Sequence, residues 1–313
     1  MFTKLIRISI LYQKKCNFVE KYLKNMYVLS IIKNVYGILA KIKQERYDTM
    51  KKEQLVKALP TMEKVYFLAS PLTKLPYVEC NEETGDDQVF VYTEEEKIKE
   101  KLEQMKEKNI PANAVLVDKK SMLGVFSGLY QCGVNAIMFT SGEDVFSTQI
   151  EEVVRRPKID ELPEDKRPLE NPLLNLSMMY FIQEARKKPE FRANEMMKEY
   201  EEEMVVNMAR AKYLIPLAED CRLDRKNEGE QQVKLLIIQA PDGKHYIPAL
   251  TDPAEFRKFK GNKELDAVGM TFQQMLDLEK SDEISGFIIN PASIAVPMVN
   301  EFLEQMKNKY TWA

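Results

Sequence analysis

Residues 234–256 read KLLIIQAPDGKHYIPALTDPAEF, and this stretch decides the fold. Two apolar runs, Lys234 to Ala240 and Lys244 to Leu250, flank Pro241-Asp242-Gly243. Proline presets φ, aspartate bonds its own backbone, and glycine takes positive φ, so the three residues predict the turn of a hairpin. A helix start follows at once. Asp252 suits the N-cap, Pro253 the first helical position, and Glu255 can reach back to the cap. Strand, turn, strand and capped helix in direct succession predict an α/β protein.

Working outward, apolar residues recur at helical spacing from Pro172 to Lys188, with Leu173, Leu176, Met179, Ile182 and Ala185 on one side. Asn194 to Lys212 predicts a second helix, with Met196, Tyr200, Met204 and Met208 every four residues. Tyr213 to Leu217 predicts a short strand. Thr271-Phe272-Gln273-Gln274 has the capping-box pattern of a helix start. Gly286 to Asn290 predicts a strand and Pro297 to Lys309 the last helix. The N-terminal half follows a similar order. Strands are expected at Val89–Thr93, Ala114–Val117 and Val134–Thr140. Helices are expected from a Thr93/Glu96 capping box to about Lys108, at Met122–Tyr130 and at Val145–Val154. The shared order predicts two tandem diverged copies of a small mixed-sheet α/β (α+β) domain with flanking helices.

Between the halves, Pro157, Pro163, Pro168 and Pro172 stand among dense charges in a stretch that disfavours helix and central strand. The expected organisation is therefore residues 50–154 as one domain, 155–172 as a proline-rich linker and 173–313 as the second domain. Residues 1–49 differ in character. They carry about +7 against about −10 for the rest, and they are rich in Lys, Asn, Ile and Tyr. The reading adopted is a non-native or disordered extension, with Met50 as the true start. An amphipathic helix on a membrane surface is the competing reading. Lys33 interrupts the apolar run from Met26 to Leu39, so no membrane span is expected.

The whole chain has 44% hydrophobic and 30% charged residues and a net charge of −3. The first two are globular values, and the third is a poor balance for gripping a phosphate backbone, so no nucleic acid is expected. Cys16, Cys80, Cys132 and Cys221 are far apart and form no CxxC. Free thiols in a reducing cytoplasm are expected.

Three segments carry a resemblance. They are Met208-Ala209-Arg210-Ala211-Lys212-Tyr213-Leu214-Ile215-Pro216, His245-Tyr246-Ile247-Pro248-Ala249-Leu250-Thr251-Asp252 and Gly286-Phe287-Ile288-Ile289-Asn290-Pro291. In this order the C-terminal half resembles the SseB family of bacterial proteins. Leu250 and Ala292 depart from it where the family usually has an aromatic residue. In the N-terminal half Thr140-Ser141-Gly142 replaces Asn-Pro, so that copy resembles the family only in degenerate form. The resemblance implies an α/β domain in a bacterial cytoplasm that acts through other proteins, with no agreed biochemical activity.

The chemistry-bearing residues are few. One histidine and no cysteine pair predict no metal site, and no cofactor is expected. His245 follows the hairpin turn, where a surface residue is ordinary. There is no nucleophile elbow and no phosphate-cradling glycine loop. Glu94-Glu95-Glu96 sits at a helix start, where negative charge is favoured. The candidate binding residues are Tyr246, Pro248, Thr251, Asp252, Asn290 and Pro291, at strand ends where α/β folds bind ligands. Capping is the plain reading of Thr251 and Asp252, and strand termination that of Asn290 and Pro291. The leading expectation is a non-enzymatic protein-interaction or regulatory module with an unknown protein partner. A small-molecule sensor is the alternative, and a carboxylate-based enzyme the third reading.

Overall fold

The computed structural model describes residues 37–38, 41, 50–156, 159–163, 166–223, 233–278 and 283–309. The reading of residues 1–49 as an extension falls almost wholly outside them. Lys57–Ala313 is one compact unit, separate from Met1–Val56, and the fold below is that of the larger unit. It is a mixed α/β structure.

In the N-terminal half the strands are β1 (Lys64–Ser70), β2 (Leu75–Pro76), β3 (Val78–Cys80), β4 (Asp87–Tyr92), β5 (Asn113–Asp118), β6 (Ala136–Ser141) and β7 (Asp144–Gln149). The helices are α1 (Glu95–Glu107), α2 (Lys119–Gln131) and the short α3 (Ile150–Val153). All seven strands join one sheet, ordered β2-β1-β4-β6-β7, with β5 beside β1 and β3 beside β4. Only β4 and β6 run parallel. Both faces are covered, so β1 is buried from Val65 to Leu68 without alternation. Tyr66, Leu68, Phe90 and Tyr92 pack with Ile98 and Met105 of α1. Phe67 meets Phe126 of α2 at 5.5 Å between ring centroids.

In the C-terminal half two helices come first, α4 (Pro172–Ala185) and α5 (Asn194–Arg210), packed on each other. Then come β8 (Lys212–Pro216), β9 (Ile238–Gln239), β10 (His245–Ala249), α6 (Pro253–Lys260), β11 (Ala267–Thr271), α7 (Phe272–Leu276), β12 (Ile284–Ile289), β13 (Val296–Val299) and α8 (Asn300–Lys309). One sheet is ordered β13-β12-β10-β9, with β10 and β12 parallel. A second pairs β11 with β8, and a Leu214–Leu250 bridge links β8 to the end of β10.

The order of pairings is the same in the two halves. β5 and β11 each pair antiparallel with the first long strand of their half. β4 and β10 each take an antiparallel neighbour on one side, and β6 and β12 in parallel on the other. β7 and β13 close each sheet antiparallel.

Several expectations need correction. The final helices predicted from Val145 and Pro297 are strands for most of their first residues. Val145 to Gln149 lie in β7, and Pro297 and Met298 in β13. Gly142 at φ 57° closes the tight turn that lets β7 fold straight back on β6. The Thr93/Glu96 box does not form; Glu94 is the N-cap residue of α1, without a side-chain cap bond. The hairpin of residues 234–250 is present, with Gly243 at φ 81°. Its first strand, however, shortens to Ile238–Gln239. Strand β1 escaped the sequence reading altogether. On α4, Leu173 is 64% exposed while Leu174 is buried, because that helix is enclosed on several sides rather than along one stripe.

Candidate functional site

The site grows from two parallel strands that end side by side. β10 ends at Ala249 and β12 at Ile289. After β12 the chain turns sharply at Asn290, whose φ is 46°. Asparagine tolerates this left-handed conformation better than most residues. Its amide N–H still donates to the Ala249 carbonyl at 3.0 Å, tying the two strand ends together.

The side chains there form a closed network. Asn290 Oδ1 accepts from the Thr251 amide at 3.0 Å, and Asn290 Nδ2 donates to Thr251 Oγ1 at 2.8 Å. Thr251 Oγ1 donates to Asp252 Oδ2 at 2.9 Å. Asp252 Oδ1 accepts from the amides of Ala254 and Glu255 at 2.8 and 2.9 Å, as an N-cap should. Thr251 is 0% and Asp252 2% exposed. A buried carboxylate is tolerable only when its oxygens are satisfied, and these four donations include Asn175 Nδ2 to Oδ2 at 3.3 Å. Glu255 does not reach back to the cap. Its oxygens take Ser293 Oγ and Lys258 Nζ, each at 2.5 Å.

Helix α4 covers this network and ties it to the N-terminal half. Asn175 also donates to the Gln131 carbonyl at 2.8 Å. Gln183 exchanges two hydrogen bonds of 3.0 Å with the backbone of Val78, as a neighbouring strand would. Tyr180 donates to Asp87 Oδ1 at 2.6 Å. The Arg186 guanidinium reaches the Leu72 carbonyl at 2.7 Å and the Ala295 carbonyl at 2.8 Å, one in each half.

A cavity of about 550 Å³ lies at this seam. Asp252, Asn290 and Asn175 reach its wall, Gly124 and Gly128 come from α2 and Cys132 from its C-cap, and Arg257 and Lys258 come from α6. Burial pushes the Cys132 thiol up to about 12, so it keeps its proton at neutral pH and is no ready nucleophile. His245, the one imidazole, is exposed at the start of β10 and outside the cavity wall. Among the described residues no group of three or more His, Cys, Asp or Glu could hold a metal ion.

Of the six candidate residues, the structure brings Thr251, Asp252 and Asn290 into one network. Tyr246 is buried on β10, its hydroxyl donating to Asp242 Oδ2 at the hairpin turn at 3.3 Å. Pro248 is buried on the same strand, and Pro291 is half-buried beyond Asn290. None of these three lines the cavity. Sequence reasoning missed Asn175, Gln183, Glu255, Ser293 and the α2 wall. Asn175 and Gln183 did leave a signal: each is a polar residue within the apolar run of a helix.

The fold and site thus define a mixed α/β protein whose second half closes its parallel strand ends under a covering helix. Residues 190–305, which include β10, α6 and β12, match the family model of the SseB protein N-terminal domain, as the resemblance implied. No curated protein matches the chain. Two solved structures are similar over much of their length. Tic22 from Plasmodium falciparum is 12% identical, with 81% of this chain and 96% of that one covered at a TM-score of 0.20. Anabaena Tic22, described as protein transport, is 11% identical, with 75% and 92% covered at a TM-score of 0.19. No described helix is long and apolar enough to cross a membrane.

Proposed function

We propose that this chain is a non-enzymatic protein-interaction module that regulates through a partner protein. The observation that carries this is the edge strand β5. Among the described residues it pairs only with β1, leaving its outer edge open. Ala114, Val115 and Leu116 on it are all exposed, Val115 at 46% and Leu116 at 56%. Proteins usually blunt such an edge with charge or proline. An aliphatic open edge suits an extended segment of a partner, which would add to the sheet as a further strand. The state of the strand-end network supports the absence of catalysis. The carboxylates of Asp252 and Glu255 are committed within the chain. The shared pairing order supports the further reading that the two halves are diverged copies.

The test is capture by the tagged full chain from lysate of the source organism, beside the Leu116→Lys variant. The substitution is at an exposed position, so stability should change by less than about 0.5 kcal/mol. A stoichiometric protein held by the wild type and lost from the variant supports the proposal. Equal retention by both, or none by either, sinks it.

A small-molecule sensor is the second reading, and the seam cavity favours it. Its volume lies in the range of small-molecule sites, with mostly apolar walls and a few converging polar groups.

A further inference from the structure

The cavity wall contributed by α2 includes Gly124 and Gly128, both inside a helix. Neither has a positive φ, and a Cβ built on either would meet nothing within 4 Å. The chain's own packing therefore gives no reason for glycine at these positions. Each costs the helix about 1 kcal/mol relative to alanine. What the two glycines achieve is an unfilled cavity.

The charges within the cavity are unequally committed. Asp252 is satisfied by four donors, and Glu255 is paired with Lys258. Arg257 is exposed at the cavity wall and has no acceptor among the described residues. The uncommitted charge at the cavity is thus a single guanidinium, a donor fork matched to a carboxylate. Around it Val125, Leu129, Met178 and Ile294 supply apolar wall.

We infer that the seam cavity is a binding site for a small organic carboxylate with an apolar body, the carboxylate held by Arg257 and the body lying over Gly124 and Gly128. This rests on the sensor reading and is independent of the β5 edge. The wall is shared by both halves, so the ligand would bridge them.

The test uses the full chain in thermal unfolding with three probes: 4-phenylbutyrate, its uncharged amide, and inorganic phosphate. Phenylbutyrate should raise Tm by about 3 °C at ten times its Kd, while the amide and phosphate should not. Arg257→Gln should abolish the shift. Gly128→Leu should place a side chain where the apolar body lies and abolish the shift too, with a basal Tm equal to or above that of the wild type. Equal shifts by the acid and the amide, both lost in Gly128→Leu, would overturn the carboxylate assignment and leave the sensor reading standing. No shift with any probe, or a shift that survives Gly128→Leu, would overturn the site itself.

Discussion

In the N-terminal half the chain leaves β4 at Tyr92 and passes through Thr93 and Glu94, which are only half-buried. In the C-terminal half it leaves β10 and passes through Thr251 and Asp252, which are fully enclosed. The pairing order around the two points is the same, so the sheets do not explain the difference. Helix α4 does. It lies over the second pair of strand ends and brings Asn175 to Asp252. Among the described residues the first pair meets its own hairpin, where the Gly142 amide donates to Glu94 Oε2 at 2.9 Å. One architecture thus yields an open strand end and a closed one, according to what covers it.

The largest effect should come from the hairpins that finish the two sheets. Gly286 sits in β12 at φ 138°, and a Cβ there would lie 2.1 Å from the Met298 carbonyl oxygen. Neither the φ nor the approach tolerates a side chain, so Gly286→Ala should cost about 4 kcal/mol. Gly142 also has positive φ but faces open space. Gly142→Ala should cost only about 1 kcal/mol. Urea unfolding of both variants measures the contrast. Similar costs would show that the second hairpin is no tighter than the first.

Next in size is the cap. Asp252→Ala removes an N-cap and strands the donors of Thr251 and Asn175 in a buried place, for about 3 kcal/mol. Glu94→Ala loses one bond at an open turn and should stay within about 0.5 kcal/mol. Equal losses in equilibrium unfolding would break the distinction between closed and open strand ends. Smaller again is Gln183→Leu, which deprives the Val78 N–H and C=O of their partner. A loss of about 2 kcal/mol is expected. A neutral result would mean that α4 is held to the first sheet by apolar packing alone.

The sequence made one hairpin legible, β9–β10, and hid another, β6–β7. Pro241-Asp242-Gly243 announces its turn through residues with few other uses, and Asp252-Pro253 announces its helix in the same way. The β6–β7 turn is written only as Ser141-Gly142-Glu143, and Val145 and Phe146 fit a helix as well as a strand. Pro297 looks like a helix start because that is its commonest place, yet it lies on β13, an edge strand where proline is also allowed. Strand β1, buried on both faces, has no alternation to reveal it. Three of the six site candidates converged because capping and turning residues must sit at strand ends. The covering groups are far away in sequence: Asn175 shows only as a polar residue within an apolar helical run, and no local pattern points to the α2 wall.

The seam offers a last and gentler test through pH. The Cys132 thiol faces the cavity, and burial raises it from its ordinary 9.0 to about 12. The folded chain therefore keeps this proton after the unfolded chain has lost it. Below pH 9 both states are protonated and the thiol adds no pH dependence. Above it only the unfolded state ionises, so stability falls as pH rises, by up to about 1.4 kcal/mol per unit. Cys132→Ala removes that component and leaves the tyrosines in place. Its unfolding free energy should decline less steeply between pH 9 and 10.5 than that of the wild type. Equal slopes would mean that water reaches the thiol through the cavity in the folded chain.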